Sequence, residues 1–160
     1  MDWSFVLNTL SELAYLLIVF TIMWFIAVIK GRQAIMNLIF GLYLALLISL
    51  QFPYYDEILR SAADSTASVV KLVMFTVFTI LGTWLFARVM PDEFQENKFE
   101  TMGKKVLLAL SATVVVMIFS FNVLPVTEFL TPGTPIQAIF APESYFFGWL
   151  MLPLAILFFI

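Results

Sequence analysis

Five stretches of mostly apolar residues run along this chain, each at or near the roughly 20 residues of helix that a bilayer core of about 30 Å requires. They cover about 10–29, 34–52, 69–90, 106–123 and 144–160. The first ends at Lys30-Gly31-Arg32, the second is stopped by Pro53, the third by Pro91, and Pro125 follows the fourth. The fifth carries Gly148 and Pro153, and Pro153 removes a backbone bond towards Trp149, which predicts a kink. None of the runs sustains a two-residue alternation, so helices fit and barrel strands do not. The predicted fold is an all-α, polytopic integral membrane helix bundle. It forms a single transmembrane domain over residues 1–160, with about five transmembrane helices, or four if the last is re-entrant or truncated.

Composition supports the same class. Of the 160 residues, 62% are hydrophobic and 12% charged, against a soluble norm of about 45–50% apolar and about 25% charged. A soluble domain of this size cannot hide so much apolar surface. A disordered chain is excluded for the same reason. A net charge of −3, with eight basic residues scattered along the chain, excludes a nucleic-acid binder. There is no cysteine and no histidine, so thiolate chemistry, zinc–sulfur sites and the commonest general base are missing. The opening Met1-Asp2-Trp3 lacks a basic region, and the apolar run after it is too long for a cleavable signal.

Basic residues in short loops set the expected orientation. Lys30 and Arg32 lie between spans one and two; Arg88, Lys98, Lys104 and Lys105 lie between spans three and four. Only Arg60 and Lys71 lie on the other side, with Asp2, Asp56, Glu57, Asp64, Glu128 and Glu143. This places the N-terminus outside and the C-terminus at the cytoplasmic face. Segment 54–68 reads as an amphipathic helix, fit either to lie in the headgroup plane or to pack over the bundle. The loop 91–105 mixes acids with lysines and reads as a solvated connector. In the outer loop 124–143, four prolines break any long helix, and Ile136, Ile139 and Phe140 are apolar enough for a re-entrant turn or a cap.

Two polar stripes stand out within the spans. Asn37, Gly41, Ala45 and Ser49 recur four residues apart in span two, with Ala34 ahead of them. Thr76, Thr79 and Thr83 share a face of span three, with Gly82 beside it. Small residues at that spacing let helix backbones approach closely, and hydroxyls bond a neighbouring helix or their own preceding carbonyls. Helix packing or self-association is the preferred reading, and a polar path lined by both stripes is the alternative. The ionisable residues at the membrane edges are Glu12, Lys71 and Arg88, read as interfacial anchors that snorkel, with a Glu12–Lys71 pair as one arrangement. No acid lies at a span's centre, which argues against an ion-coupled transporter. Enzyme motifs and metal-ligand clusters are absent, so no catalytic residue, cofactor or metal is expected.

The layout of a first span, the turn Lys30-Gly31-Arg32, a glycine-bearing second span with Gly41 and a proline-led amphipathic segment resembles the colicin V production (CvpA-type) family of small inner-membrane proteins. The likeness covers about the first 90 residues. The chain departs from that pattern in span two, where Asn37 and Gly41 stand nearly alone, and in its fifth span and proline-rich loop. The resemblance implies a protein of the bacterial cytoplasmic membrane, linked to toxin export or envelope processes. The expected function is a non-catalytic integral membrane protein in envelope homeostasis or secretion, acting through helix packing with itself or with a membrane-protein partner. The alternatives are a transporter or channel-type subunit with a path along spans two and three, and an accessory scaffold of a larger complex.

Overall fold

A computed structural model describes residues 3–54, 64–90, 100–122, 135–140 and 142–160 of the chain. Its elements are all helices: α1 (Trp3–Ile29), α2 (Gly31–Gln51), α3 (Asp64–Val89), α4 (Glu100–Asn122), α5 (Pro135–Phe140) and α6 (Glu143–Phe159). Four of them, α1 to α4, are long and apolar enough to cross a membrane. The chain is an all-α integral membrane bundle, as its apolar runs predict. The shorter α6, at 17 residues, sits at the lower bound of spanning length.

The reversal between α1 and α2 is tight. Lys30 donates its N–H to the Ile26 carbonyl at 2.9 Å, closing α1, and Gly31 then turns the chain at φ +85°. That left-handed conformation crowds any Cβ against the following carbonyl, which is why glycine stands there. The chain re-enters α2 at once.

α4 is the buried axis. Within its spanning window 61% of residues are buried, against 17% for α1 and 17% for α3. It is packed by α1, α2 and α6, and by the short α5 at one end. Its residues Leu108, Ala109 and Ala112 meet Ala27, Ile35 and Ile39 near the Lys30 turn. Further along, Val115 to Phe121 meet Leu42, Ala45, Leu46, Phe75 and Phe140. α3 rests on α2, which gives the most extensive helix pair in the fold. α3 also reaches α4 through Phe75, whose ring lies edge-on to Phe119 at 5.6 Å.

Side chains facing away from these contacts are large and apolar. Leu10, Leu17, Ile18, Ile22 and Phe25 on α1, and Val73, Val77, Ile80, Leu81 and Trp84 on α3, are all exposed. Surfaces of this kind suit hydrocarbon, which solvates them as well as a protein interior does.

Two polar ties fix the direction of α6. Arg32 Nη2 donates to the Ile160 carbonyl at 2.6 Å, and the Tyr43 hydroxyl donates to the Leu150 carbonyl at 2.5 Å. α6 therefore runs antiparallel to α2 and ends at the Lys30–Arg32 turn. Pro153 is buried inside this helix without breaking it. Pro153 leaves the Trp149 carbonyl without its intrahelical donor, and the Tyr43 hydroxyl bonds the next carbonyl along, that of Leu150.

The loops are partly covered. Most of the amphipathic segment 54–68 lies outside the described residues, but from Asp64 it is already helix, so α3 begins earlier than residue 69. The connector 91–99 lies outside them as well. Within the proline-rich loop, 135–140 forms α5, which packs on α4, α1 and α6 with Phe140 buried. A capping role for this part of the loop agrees with that packing.

Replacing Gly31 by alanine forces a side chain into the left-handed region, so stability should fall by about 1–2 kcal/mol. Gly103→Ala, where a Cβ meets nothing within 4 Å, should instead raise stability by up to about 1 kcal/mol from helix propensity. Reversible unfolding of both variants in mixed micelles checks the opposite signs.

Candidate functional site: the polar side chains inside the bundle

The stripe on α2 and the stripe on α3 face each other, and they meet at backbone contact. A Cβ placed on Gly41 would collide with Thr83, lying 2.6 Å from its backbone nitrogen and against its hydroxyl oxygen. A Cβ on Gly82 would lie 3.1 Å from the Gly41 Cα and 3.1 Å from its carbonyl oxygen. Neither position has room for a side chain. Aromatic pairs lie on either side of the crossing: Phe40 with Phe86 at 5.4 Å, and Phe52 with Phe78 at 5.6 Å.

The rest of each stripe follows from this crossing. Asn37 and Ala45 are buried, and Ser49 is half-buried towards the end of α2. Asn37 accepts a hydrogen bond from Gln33 Nε2 at 3.3 Å, one turn earlier on the same helix. The threonine hydroxyls bond back to their own helix: Thr76 to the Leu72 carbonyl at 2.8 Å, Thr79 to Phe75 at 2.9 Å and Thr83 to Thr79 at 2.7 Å. Thr76 faces outward, whereas Thr79 and Thr83 are half-buried. Bonding back to the fourth preceding carbonyl satisfies a hydroxyl in an apolar medium without a partner helix.

The edge charges divide. Arg88 is exposed, with its guanidinium carbon 5.9 Å from the Trp84 ring centroid, a cation–π arrangement suited to an interface. Lys71 is half-buried near the start of α3. Glu12 departs from the anchor expectation. It is only 1% exposed, because it lies on the face of α1 that packs against α4 and α5 and that also carries Tyr15 and Val19. Glu12 and Lys71 stand on helices that pack chiefly elsewhere, α1 on α4 and α3 on α2.

One turn along from Glu12, the Tyr15 hydroxyl and the Ser120 hydroxyl of α4 are hydrogen-bonded at 2.7 Å, and Ser120 also donates to the Val116 carbonyl at 2.8 Å. Ser111 and Thr113 of α4 bond back to Leu107 and Ala109 at 2.8 and 2.7 Å. Tyr15 and Ser120 thus make a polar tie between α1 and α4, one turn from the buried Glu12. Tyr43 and Arg32 make the second set of interhelix bonds, to α6. The stripe reading of spans two and three misses all of these, because each joins residues about a hundred positions apart. The signal present in the sequence is the run of small and hydroxyl residues in span four, Ala109, Ser111, Ala112, Thr113 and Ser120, on a helix that proves to be the axis.

No group of three or more acidic residues arranged to hold a metal is found among the described residues. Comparison of the chain with protein-family models, curated proteins and solved structures returns no match.

Gly41→Ala should cost about 1–3 kcal/mol by forcing α2 and α3 apart, although alanine is the better helix former. Tyr43→Phe should cost about 1 kcal/mol by removing its interhelix hydrogen bond to the Leu150 carbonyl. Unfolding titrations with each variant, and with Gly148→Ala as a control at an open position, measure both effects.

Proposed function

We propose that this protein is a non-catalytic, CvpA-like integral protein of the bacterial inner membrane, acting in envelope homeostasis or secretion by helix packing. The N-terminus is proposed to lie outside and the C-terminus at the cytoplasmic face. The observation that carries the packing reading is the Gly41–Gly82 crossing, where the stripes that would line a path are in backbone contact. Orientation draws support from the shared end of the bundle at which Lys30, Arg32 and Arg88 lie, with Lys104 and Lys105 in the first turns of α4, as the positive-inside tendency requires. On this reading the working surfaces are the outward apolar faces of α1 and α3, which meet lipid, a second copy or another membrane protein.

A transporter or channel-type subunit has one observation in its favour. A carboxyl buried in a membrane helix is the usual mark of an ion or substrate route, and Glu12 is such a group. It lies between α1 and α4, however, away from the threonine and glycine stripes. Proteoliposomes carrying the purified chain should therefore show no ion flux above empty liposomes. Gentle affinity purification should recover a second copy or a stoichiometric membrane partner. A flux abolished by the paired change Thr79→Val and Thr83→Val, with assembly intact, would overturn the packing reading in favour of the path.

A further inference from the structure

On the outward side of α6, against the end of the bundle opposite the Lys30–Arg32 turn, lies an open groove of about 450 Å³. Ala138 and Ile139 of α5 form one wall; Ser144, Tyr145, Gly148, Trp149 and Leu152 of α6 form the floor and the other wall. Two features of this chain make it. Gly148 has no side chain, and a Cβ there would meet nothing within 4 Å, so the floor stays low for want of a substituent. Trp149 is held aside, its indole N–H donating to the Ile139 carbonyl at 3.0 Å and its ring 5.1 Å from that of Phe140. The wall is thereby fixed, and the groove is part of the fold.

We infer that this groove holds one acyl chain of a membrane lipid. Its direction is the first reason. From Ser144 to Leu152 the floor follows α6 for about 12 Å at 1.5 Å per residue, starting where the helix begins and running towards its middle. A lipid tail entering from the nearer headgroup layer travels the same way. Chemistry along the length is the second reason. The only hydroxyls are those of Ser144 and Tyr145, at the mouth, where ester and headgroup oxygens would lie, while Trp149 and Leu152 deeper in are apolar or have their polar atom already bonded. Continuity is the third. Phe147 and Met151, neighbours in the helix of the lining residues, are exposed and apolar, and so is Leu152 in the lining itself. A partner helix would be a poor occupant, because the second wall is a helix of only six residues and offers a slot in place of a face.

The test uses the full chain in nanodiscs doped with a phospholipid bearing a photoactivatable diazirine in its acyl chain. Adducts are mapped by mass spectrometry. Labelling is expected on the walls and floor, at Ile139, Tyr145, Trp149 and Leu152. In Gly148→Leu, whose side chain takes the space the tail would occupy, that labelling should be lost. Gly148→Ala should keep it, and labelling of the exposed α3 residues Val77, Ile80 and Trp84 should be unchanged in both. Equal labelling of the groove in wild type and Gly148→Leu would overturn the inference. So would protein–protein adducts in place of lipid adducts at these positions, which would assign the groove to a second copy or to another segment of the chain.

Discussion

Lipid tails are as apolar as leucine, so burying leucine against leucine gives two membrane helices little reason to associate. Contact has to come from close approach and from hydrogen bonds made where no water competes. In this chain the closest approach is between α2 and α3, where two glycines and Thr83 bring backbone onto backbone. α3 has no comparable contact with another helix among the described residues. Its position in the bundle therefore rests on that seam, with the ring of Phe75 as a second foothold on α4. Bulk at Gly41 or Gly82 would leave a helix with a largely lipid-facing surface and little to hold it.

The rest of the bundle uses the other resource. α1 is joined to α4 through Tyr15 and Ser120, and α6 to α2 through Tyr43 and Arg32. Each bond places a donor or acceptor where hydrocarbon would otherwise leave a polar atom unmet, which sets register more than it adds stability. The hydroxyls that make no interhelix bond fold back onto their own helices. α6 shows how the two resources combine. A proline removes the backbone bond to Trp149, and a tyrosine on the neighbouring helix bonds the carbonyl of Leu150. Glu12 is the one carboxyl among the buried polar residues of the described bundle.

Much of the architecture was legible from the sequence because bilayer thickness leaves few choices: the apolar runs ended where prolines and the Lys30-Gly31-Arg32 turn stopped them. The Gly41 stripe was legible for a related reason, since small residues four apart have one common use between helices. Burial was less so. Span four looks no different from the others in length, and only its alanines, serines and threonine set it apart as the helix surrounded by protein. Glu12 reads as an anchor in the sequence because it stands at the edge of span one, whereas its exposure depends on α4 and α5, far along the chain. The ties Tyr43–Leu150 and Arg32–Ile160 link positions too distant in sequence for any local pattern to expose them.

The central claim is that α4 is mostly buried in protein, with Leu110 on its outward side, while α3 turns lipid-ward except where it meets α2 and, through Phe75, α4. The chain contains no cysteine, so single cysteines carrying a nitroxide label report each position without interference. Collision rates with oxygen, which partitions into lipid, and with a water-soluble nickel chelate should be compared at Phe75, Val77, Ile80, Leu110 and Val115 in bilayers. The account predicts high oxygen and low nickel accessibility at Val77, Ile80 and Leu110, and low values of both at Phe75 and Val115. Nickel accessibility along α3, or oxygen accessibility at Val115 equal to that at Val77, would contradict it.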